Sequence, residues 1–412
     1  MATMKKAPSL KIQFIIPLFL FLVSLGLRTY KLSTFPTAVT HVELDYIVNA
    51  KAIWLTGKDI SQTWSPLSLK ALDSREVLAE LVSPLLAFTT GILPFSLTLS
   101  RLPNVVLYSL LPVVVYLIAT YLSNRKVGFT AGLLFAFNPW SFYFGRTAFE
   151  APLSLLFYLV GFYLVISQKG WKLLSGFPFL FLGFFTYHGN KLLLVPIAVI
   201  ACLTNYLFTQ KMVEKKTQLL PYIVITLLSL GLLAYFGTSF SSQAASMRSK
   251  EIVFLNQDFL STAVNNDRLL SIPSKWQSLL TNKATIALKE FTGRYLGAFS
   301  STYHFVSGDT SGVGAHSLGV HGMFYYIDFL FLAIGLGALY ARFRKAWLVL
   351  GLLLLAAPLG SSVNLASVSY VHRSSLLFPV LTIVIAVGIV ESIRLAKQLA
   401  KPLAIGISIV YL

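Results

Sequence analysis

The chain has 412 residues, of which 56% are hydrophobic and only 12% are charged. Soluble globular domains carry about 25% charged residues, so the long apolar runs that recur from end to end predict a polytopic helical membrane protein. The net charge of +18 comes from Lys and Arg scattered between these runs. Because they form no continuous patch, nucleic-acid binding is disfavoured, and the orienting role of basic loop residues in membrane proteins accounts for them.

The chain opens with a basic segment, Met1 to Lys11, and an apolar run at residues 12–28. No small-residue cleavage site follows, so this run predicts a first span and not a removed signal peptide. Further spans are predicted near residues 102–122, 127–144, 150–167, 172–187, 190–208, 219–237, 324–341, 346–361 and 374–390. A last apolar piece begins at Pro402 and is shorter than the roughly 20 residues that a span needs, so we expect the chain to be truncated within it or the helix to be completed differently. The expected fold is one all-α membrane domain, residues 1–412, with about 10–11 transmembrane helices.

One apolar segment decides the predicted topology. Residues 81–97 are apolar enough to span but contain Pro84, Gly91 and Pro94. If this segment does not cross, all the basic clusters fall on one face, as expected for the cytoplasmic side. These clusters lie at residues 5–6, 124–126, 169–172, 211–216, 342–345 and 394–401. The sequence therefore predicts a juxtamembrane helix at 81–97 on the outer face and a cytoplasmic N-terminus in the cell membrane.

Two large outer segments follow from this topology, residues 29–101 and 238–323. The second has helix-like stretches at Lys275 to Leu280 and Asn282 to Phe291. Its Gly- and Ser-rich stretch at residues 307–322 is typical of a loop.

Acidic residues follow the first span in the run His41-Val42-Glu43-Leu44-Asp45-Tyr46. A carboxylate at a membrane surface could act as a general base towards a hydroxyl, or stabilise positive charge on a sugar ring. Glu43 and Asp45 are therefore the candidate catalytic residues. The alternative is a solvated loop start, in which the acids offset the dipole of a helix from Tyr46 to Trp54.

Three outer turns carry candidate residues for binding the phosphate or another part of a substrate. Arg146 and Glu150 are four apart, so a helical turn would place them on one face, where an Arg could bind phosphate bidentately or form a local ion pair. His188 and Lys191 could bind a lipid phosphate, although Lys191 could equally be a snorkelling lysine. The third turn carries His372 and Arg373. A cation is unusual on the outer side, which favours an anion-binding role for Arg373.

Several classes of function are disfavoured. The chain has no GxxxxGK[ST] motif, which argues against ATP-driven transport. No His and Cys spacing suggests a metal site, so no metal or other cofactor is predicted, and the single Cys202 excludes an internal disulfide. The spans carry few charges, whereas ion-coupled transporters place them near the bilayer midplane.

A set of short motifs extends over nearly the whole chain. The acidic run is followed by Asn49-Ala50, Leu55 to Asp59, Ser100 to Pro103, Asn138-Pro139-Trp140, Arg146 to Ala151, Tyr187-His188, Tyr295 to Phe299 and Ser307-Gly308-Asp309. In their order and spacing the chain resembles the GT-C superfamily of integral membrane glycosyltransferases. The resemblance is to the bacterial branch related to protein O-mannosyltransferases and the lipid A aminoarabinose transferase.

The resemblance implies a polyprenyl-phosphate-linked sugar as donor and inverting transfer on the outer face to a protein, lipid or glycan acceptor. A first-loop acid would act as base, and outer cations would hold the donor phosphate. Glu43 matches the second acid of the family's pair, whereas the first acid falls on Val42. Glu43 or Asp45 could take over its role, because Asp45 lies about one helical turn from Val42. The alternatives are a subunit that binds lipid-linked sugar without transferring it, and a transporter or flippase of such a substrate.

Overall fold

A computed structural model describes residues 10–36, 39–62, 72–73, 77–209, 212–239, 251–309, 321–365 and 369–410. Across these ranges the protein is helical apart from two short strands, Leu72–Asp73 and Val77–Leu78, which pair antiparallel. This confirms the all-α prediction. Lys5 and Lys6, and residues 310–320 of the predicted Gly- and Ser-rich loop, lie outside the described residues.

The α-helices are numbered here in chain order. They are α1 (Leu10–Thr29), α2 (His41–Thr56), α3 (Val82–Leu86), α4 (Leu97–Tyr108), α5 (Leu111–Leu122), α6 (Arg125–Phe137), α7 (Pro139–Phe144), α8 (Glu150–Ser167), α9 (Phe177–Thr186), α10 (Leu194–Phe208), α11 (Met212–Ser239), α12 (Gln257–Leu270), α13 (Gln277–Leu280), α14 (Lys283–Gly297), α15 (Tyr326–Arg342), α16 (Arg344–Ala356), α17 (Leu359–Ser362), α18 (Tyr370–Arg373) and α19 (Leu377–Val410). Short 3₁₀ turns, Gly170–Gly176 and His188–Leu193, precede α9 and α10.

Six helical stretches within the described residues are long and apolar enough to cross a membrane. They are Leu97–Leu122, Glu150–Ser167, His188–Phe208, Gln218–Thr238, Arg344–Ser362 and Leu377–Gln398. The chain is therefore an all-α, multi-pass membrane protein. Other predicted spans correspond to shorter helices, α1, α6 with α7, α9 and α15, so the count of ten or eleven stays a prediction.

The acidic run lies in a helix and not in a loop. We expected the helix to start at Tyr46, but α2 begins at His41 because Thr40 caps it, its hydroxyl accepting a hydrogen bond from the Glu43 amide at 3.2 Å. The helix ends at Gly57, whose φ of +73° is the left-handed conformation that glycine adopts without strain. Glu43 and Asp45 therefore lie in the first two turns of α2.

The segment at 81–97 forms a shorter helix than predicted. It consists of α3 and a π-helical turn from Ala87 to Gly91. Ten helical residues extend about 15 Å, half the roughly 30 Å of the hydrocarbon core, and the juxtamembrane placement stays a prediction. The Lys51 ammonium donates to the Gly91 and Leu93 carbonyls at 2.6 and 2.9 Å, and so satisfies the end of this helix.

Close helix contacts build the membrane core. Cβ atoms at Gly335 and Gly388 would overlap the Val384 and Phe331 carbonyl groups, so these two glycines let α15 and α19 pack backbone to backbone. Helix α19 runs without a break through Pro402 to Val410. The apolar residues that begin at Pro402 therefore continue the preceding helix.

Candidate active site

Glu43 is the centre of a buried ionic cluster. Its carboxylate is 1% exposed and accepts two hydrogen bonds from the Arg101 guanidinium, each at 2.8 Å. The Ala148 amide donates to the same carboxylate at 2.7 Å. Arg101, itself fully buried, also donates to the Pro36 carbonyl at 2.9 Å. This bidentate pair joins α2, α4 and the turn before α8, and it occupies the oxygens that a general base would use.

The neighbours of Glu43 along α2 have different surroundings. Val42 is half-buried and packs against two apolar clusters, the bundle core and the small cluster around Tyr46 and Leu78. Asp45 is half-buried and His41 is exposed. Four residues apart on one helix, His41 and Asp45 share a face. Asp45 is thus more exposed to solvent than Glu43.

Arg146 holds the outer turn in place. Its guanidinium donates to the Phe35 carbonyl at 2.9 and 3.1 Å and to the Leu27 carbonyl at 3.0 Å. It also lies over the rings of Phe35 and Phe142, 5.4 and 5.0 Å from their centroids. Burial and the positive charge of Arg101 lower the pKa of Arg146. Its guanidinium donors are directed at backbone carbonyls, and its role as a phosphate ligand stays a prediction.

Arg146 and Glu150 do not share a helical turn. Residues 146–149 are not helical, and Glu150 is the first residue of α8. The predicted spacing argument therefore does not apply, because it requires continuous helix between the two residues. Glu150 lies in the same neighbourhood as Glu43, since both carboxylates act electrostatically on Tyr108.

Lys191 is also part of a buried ion pair. Its ammonium is 1% exposed and lies 2.5 Å from Glu80 Oε1. Three phenylalanine rings surround it, with centroids 4.4 to 5.5 Å away, those of Phe184, Phe185 and Phe236. The ammonium is thus enclosed and does not snorkel, and its contact with a lipid phosphate stays a prediction. His188 Nε2 lies 3.2 Å from the Leu78 carbonyl oxygen, so the turn anchors the segment around Leu78 and Glu80.

The fourth predicted segment is the short helix α18. The His372 ring packs against Phe144 and Phe149, with centroids 4.9 and 4.7 Å apart. The indole of Trp140 donates to the Val371 carbonyl at 2.9 Å. Arg373 is half-buried.

Contacts link all four predicted segments. The acidic run binds the 144–150 turn through Glu43 and Ala148, and that turn packs on His372. A Cβ atom at Gly360 would meet both the Gly189 and the Arg373 carbonyl oxygens, which places the 187–191 turn beside α18. The predicted site residues therefore lie around one end of the bundle, although the charges of Glu43, Arg146 and Lys191 are used internally.

The sequence analysis did not identify the residues that form ion pairs with Glu43 and Lys191. Arg101 and Glu80 complete the buried pairs. Arg101 belongs to the Ser100 to Pro103 motif, and an arginine within an apolar span is itself a signal of a buried partner. Glu80 had no such signal. Within the described residues no group of three or more His, Cys, Asp or Glu could hold a metal ion.

Comparisons with known proteins give no family. No protein-family model matches the chain, and no curated protein matches it. Solved structures of an oligosaccharyltransferase from Archaeoglobus fulgidus are similar. The apo form is 12% identical with a TM-score of 0.49, covering 97% of this chain and 52% of that one. A complex with an inhibitory peptide and a dolichol-phosphate is 11% identical with a TM-score of 0.46, covering 95% and 51%. The chain thus spans about half the length of the structures it matches, and likeness of this degree carries no argument about its fold or activity.

Proposed function

We propose that this chain is a glycosyltransferase of the outer face of the cell membrane. It would take a sugar from a polyprenyl-phosphate donor and pass it to a protein, lipid or glycan acceptor. The observation that supports this is the meeting of the four polar segments around residues 41–46, 144–150, 187–191 and 370–373 at one end of a membrane bundle. A site there could serve an amphiphilic donor whose chain lies in the lipid and whose sugar lies in water.

Asp45 is the proposed base. A base needs an accessible lone pair within reach of the acceptor proton. Glu43 has three donors on its carboxylate and is 1% exposed, whereas Asp45 is partly accessible on the face that it shares with His41. In the proposed step the Asp45 carboxylate takes the acceptor proton, and the acceptor atom bonds to the anomeric carbon. The bond from that carbon to the phosphate oxygen breaks, polyprenyl phosphate leaves, and a single displacement inverts the configuration.

Arg373 is the proposed ligand of the donor phosphate. Arg146 and Lys191 are each 1% exposed, so we assign them positioning roles. Arg373 is half-buried on α18, directly after His372. A guanidinium there could bind two phosphate oxygens at once.

The test uses purified protein in lipid nanodiscs with a panel of polyprenyl-phosphate sugars and measures released polyprenyl phosphate. Removing a general base typically costs about 10²- to 10⁴-fold in rate, so Asp45→Asn should lose at least that lower factor. Asp258→Asn, an exposed acid at the start of α12, is the matched control and should keep full activity. Arg373→Gln should weaken donor binding more than it slows the bound reaction. Full transfer by a folded Asp45→Asn protein would reject the base, and no release from any donor would reject the activity.

A non-catalytic subunit that binds lipid-linked sugar is the second candidate, because Val42 stands at the family's acid position. If the chain is inactive for lack of that acid, Val42→Asp should raise transfer from near zero. We expect no gain, because Val42 packs between two apolar clusters and a carboxylate there would be partly desolvated. Val42→Asn is the control for the change of shape.

A further inference from the structure

An exposed apolar tip lies at the turn of the helical hairpin formed by α12, α13 and α14. Its large side chains are between 62% and 89% exposed. They are Leu269, Leu270, Ile272, Trp276, Leu279 and Leu280. Single exposed apolar residues are common on proteins, but a contiguous group of this kind marks an interaction surface.

Several polar groups of the tip hydrogen-bond to one another within the turn. The Gln277 amide donates to the Arg268 carbonyl at 3.0 Å and to the Ser271 hydroxyl at 2.8 Å. Arg268 Nε donates to the Thr281 carbonyl at 3.0 Å. Backbone and amide groups are thus satisfied inside the turn, while leucine, isoleucine and tryptophan side chains face outward. That is the reverse of the pattern expected at a water-exposed turn.

The apolar surface continues from the tip along α14. Leu288 and Leu296 are each 61% exposed. Between them Phe291 and Tyr295 stack with centroids 5.9 Å apart, and Tyr295 contacts Phe299 at 5.8 Å. At helical spacing these residues form one stripe.

The stripe ends at a membrane span. The Tyr295 hydroxyl donates to the Leu355 carbonyl at 2.7 Å. Leu355 belongs to the span Arg344–Ser362 and is 59% exposed, as expected for a side chain that faces lipid. It lies seven residues before Ser362, or about 10 Å along the helix from the end of that span. The exposed stripe of α14 is therefore continuous with lipid-facing surface.

We propose that this hairpin lies on the bilayer, with the tip and the stripe buried in the boundary between head groups and acyl chains. The charge of the tip fits this partner, because residues 268–283 contain three cations, Arg268, Lys275 and Lys283, and no acid. Interfacial helices combine Trp and Leu on one side with Lys and Arg beside anionic head groups. Tryptophan, present here as Trp276, is enriched at membrane–water interfaces. The proposal does not depend on the catalytic activity.

The test measures the depth of spin labels in the full chain, reconstituted in nanodiscs that contain anionic lipid. Cys202, the only cysteine, is first replaced by alanine. Labels are then attached to Leu270→Cys and Ile272→Cys, with Asn266→Cys on the exposed polar side of α12 as control. Oxygen concentrates in lipid and a nickel chelate stays in water, so the ratio of their collision rates reports depth.

The ratio of oxygen to nickel collisions should be several-fold higher at residues 270 and 272 than at residue 266. Equal ratios at all three positions would overturn the proposal. Protection from both reagents in particles that hold two copies would also overturn it, since a second copy would then cover the tip. Size-exclusion chromatography and circular dichroism establish that each labelled protein is folded, which is expected because the labelled side chains are exposed.

Discussion

The region after α1 and the region between α11 and α15 are attached to the bundle in different ways. The region after α1 is held by buried charges, Glu43 with Arg101 and Glu80 with Lys191. The region between α11 and α15 carries the pairs Lys289 with Asp267 and Glu290 with Arg294, whose side chains are 17% to 68% exposed. It contacts the bundle through aromatic rings and backbone hydrogen bonds. The first attachment fixes a precise geometry, because a buried ion pair is stable only when all its donors and acceptors are matched. The second combines ring contacts with directional hydrogen bonds, such as that from the Tyr295 hydroxyl to the Leu355 carbonyl.

The largest loss in the free energy of unfolding is expected from substitution of Glu43. Glu43→Gln leaves the buried Arg101 charge without its carboxylate, and breaking such a pair costs about 3–5 kcal/mol. We expect the upper end, because the Ala148 amide also depends on this carboxylate. Thermal unfolding in detergent measures the loss. Glu290→Gln, which removes a partly exposed i, i+4 pair, is the matched control, with a loss of about 0.5 kcal/mol or less. Equal losses from the two variants would remove the contrast between the regions.

The second-largest loss of stability is expected from substitution of Lys191. Lys191→Met keeps the volume of the chain inside the three phenylalanine rings but leaves Glu80 buried beside an apolar group, at a cost of about 3 kcal/mol. The double variant Lys191→Met with Glu80→Gln should recover much of this loss, because no buried charge then remains. If the double variant is no more stable than the single one, the ion pair is not what holds the segment around Leu78. Unfolding midpoints of the three proteins are compared.

The second region should respond to pH through a neutral buried histidine. His304 is 2% exposed, and burial lowers its pKa from 6.5 to about 4. The unfolded chain therefore binds a proton between pH 6.5 and 4 that the folded chain does not, so this contribution to stability is complete above pH 6.5 and declines as the pH falls. At pH 5 the loss is roughly 2 kcal/mol. His304→Gln, whose amide can still donate to the Ala298 carbonyl as Nε2 does, should flatten the dependence between pH 7 and 5.

The smallest loss of stability is expected from substitution of an exposed ion pair on the hairpin. Lys289 is 68% exposed and lies 3.2 Å from Asp267. Exposed pairs of this kind contribute about 0.2–1 kcal/mol, so Lys289→Ala should shift the unfolding midpoint little, and less still at high salt. A loss as large as that of Lys191→Met would show that ion pairs secure both regions.

The sequence predicted the class of fold and the segments that meet, but not the roles of their charges. The hydrophobic runs, the helical stretches around residues 275–291 and the polar turns are local properties, and the structure contains them. Arg146 and Lys191 were predicted to bind phosphate because each is a cation beside a span. Their partners, the Phe35 carbonyl and Glu80, each lie 111 residues away in the chain. A sequence without an alignment gives no means of pairing residues over such a distance.

The start of α2 illustrates the same limit on a smaller scale. The acidic run is visible in the sequence, and Thr40 is a recognisable cap. Each residue of a helix is rotated by about 100° from the one before it, so the rotation decides which acid faces the bundle. The burial of Glu43 also requires its partner Arg101, which lies on α4, 58 residues later in the chain. The same rotation gives Val42 a packing position, a role that the comparison of motifs could not assign.

By itself, the sequence determined that this is a polytopic membrane protein with two polar regions and an unusual set of acids beside its first span. These properties follow from composition and local periodicity, because apolar length decides what can cross a bilayer. The tertiary structure alone decided which charges are internal and which are accessible, and that the apolar tip of the hairpin remains uncovered. Burial is a property of the whole fold, since water is excluded from a side chain only by segments that are distant in sequence.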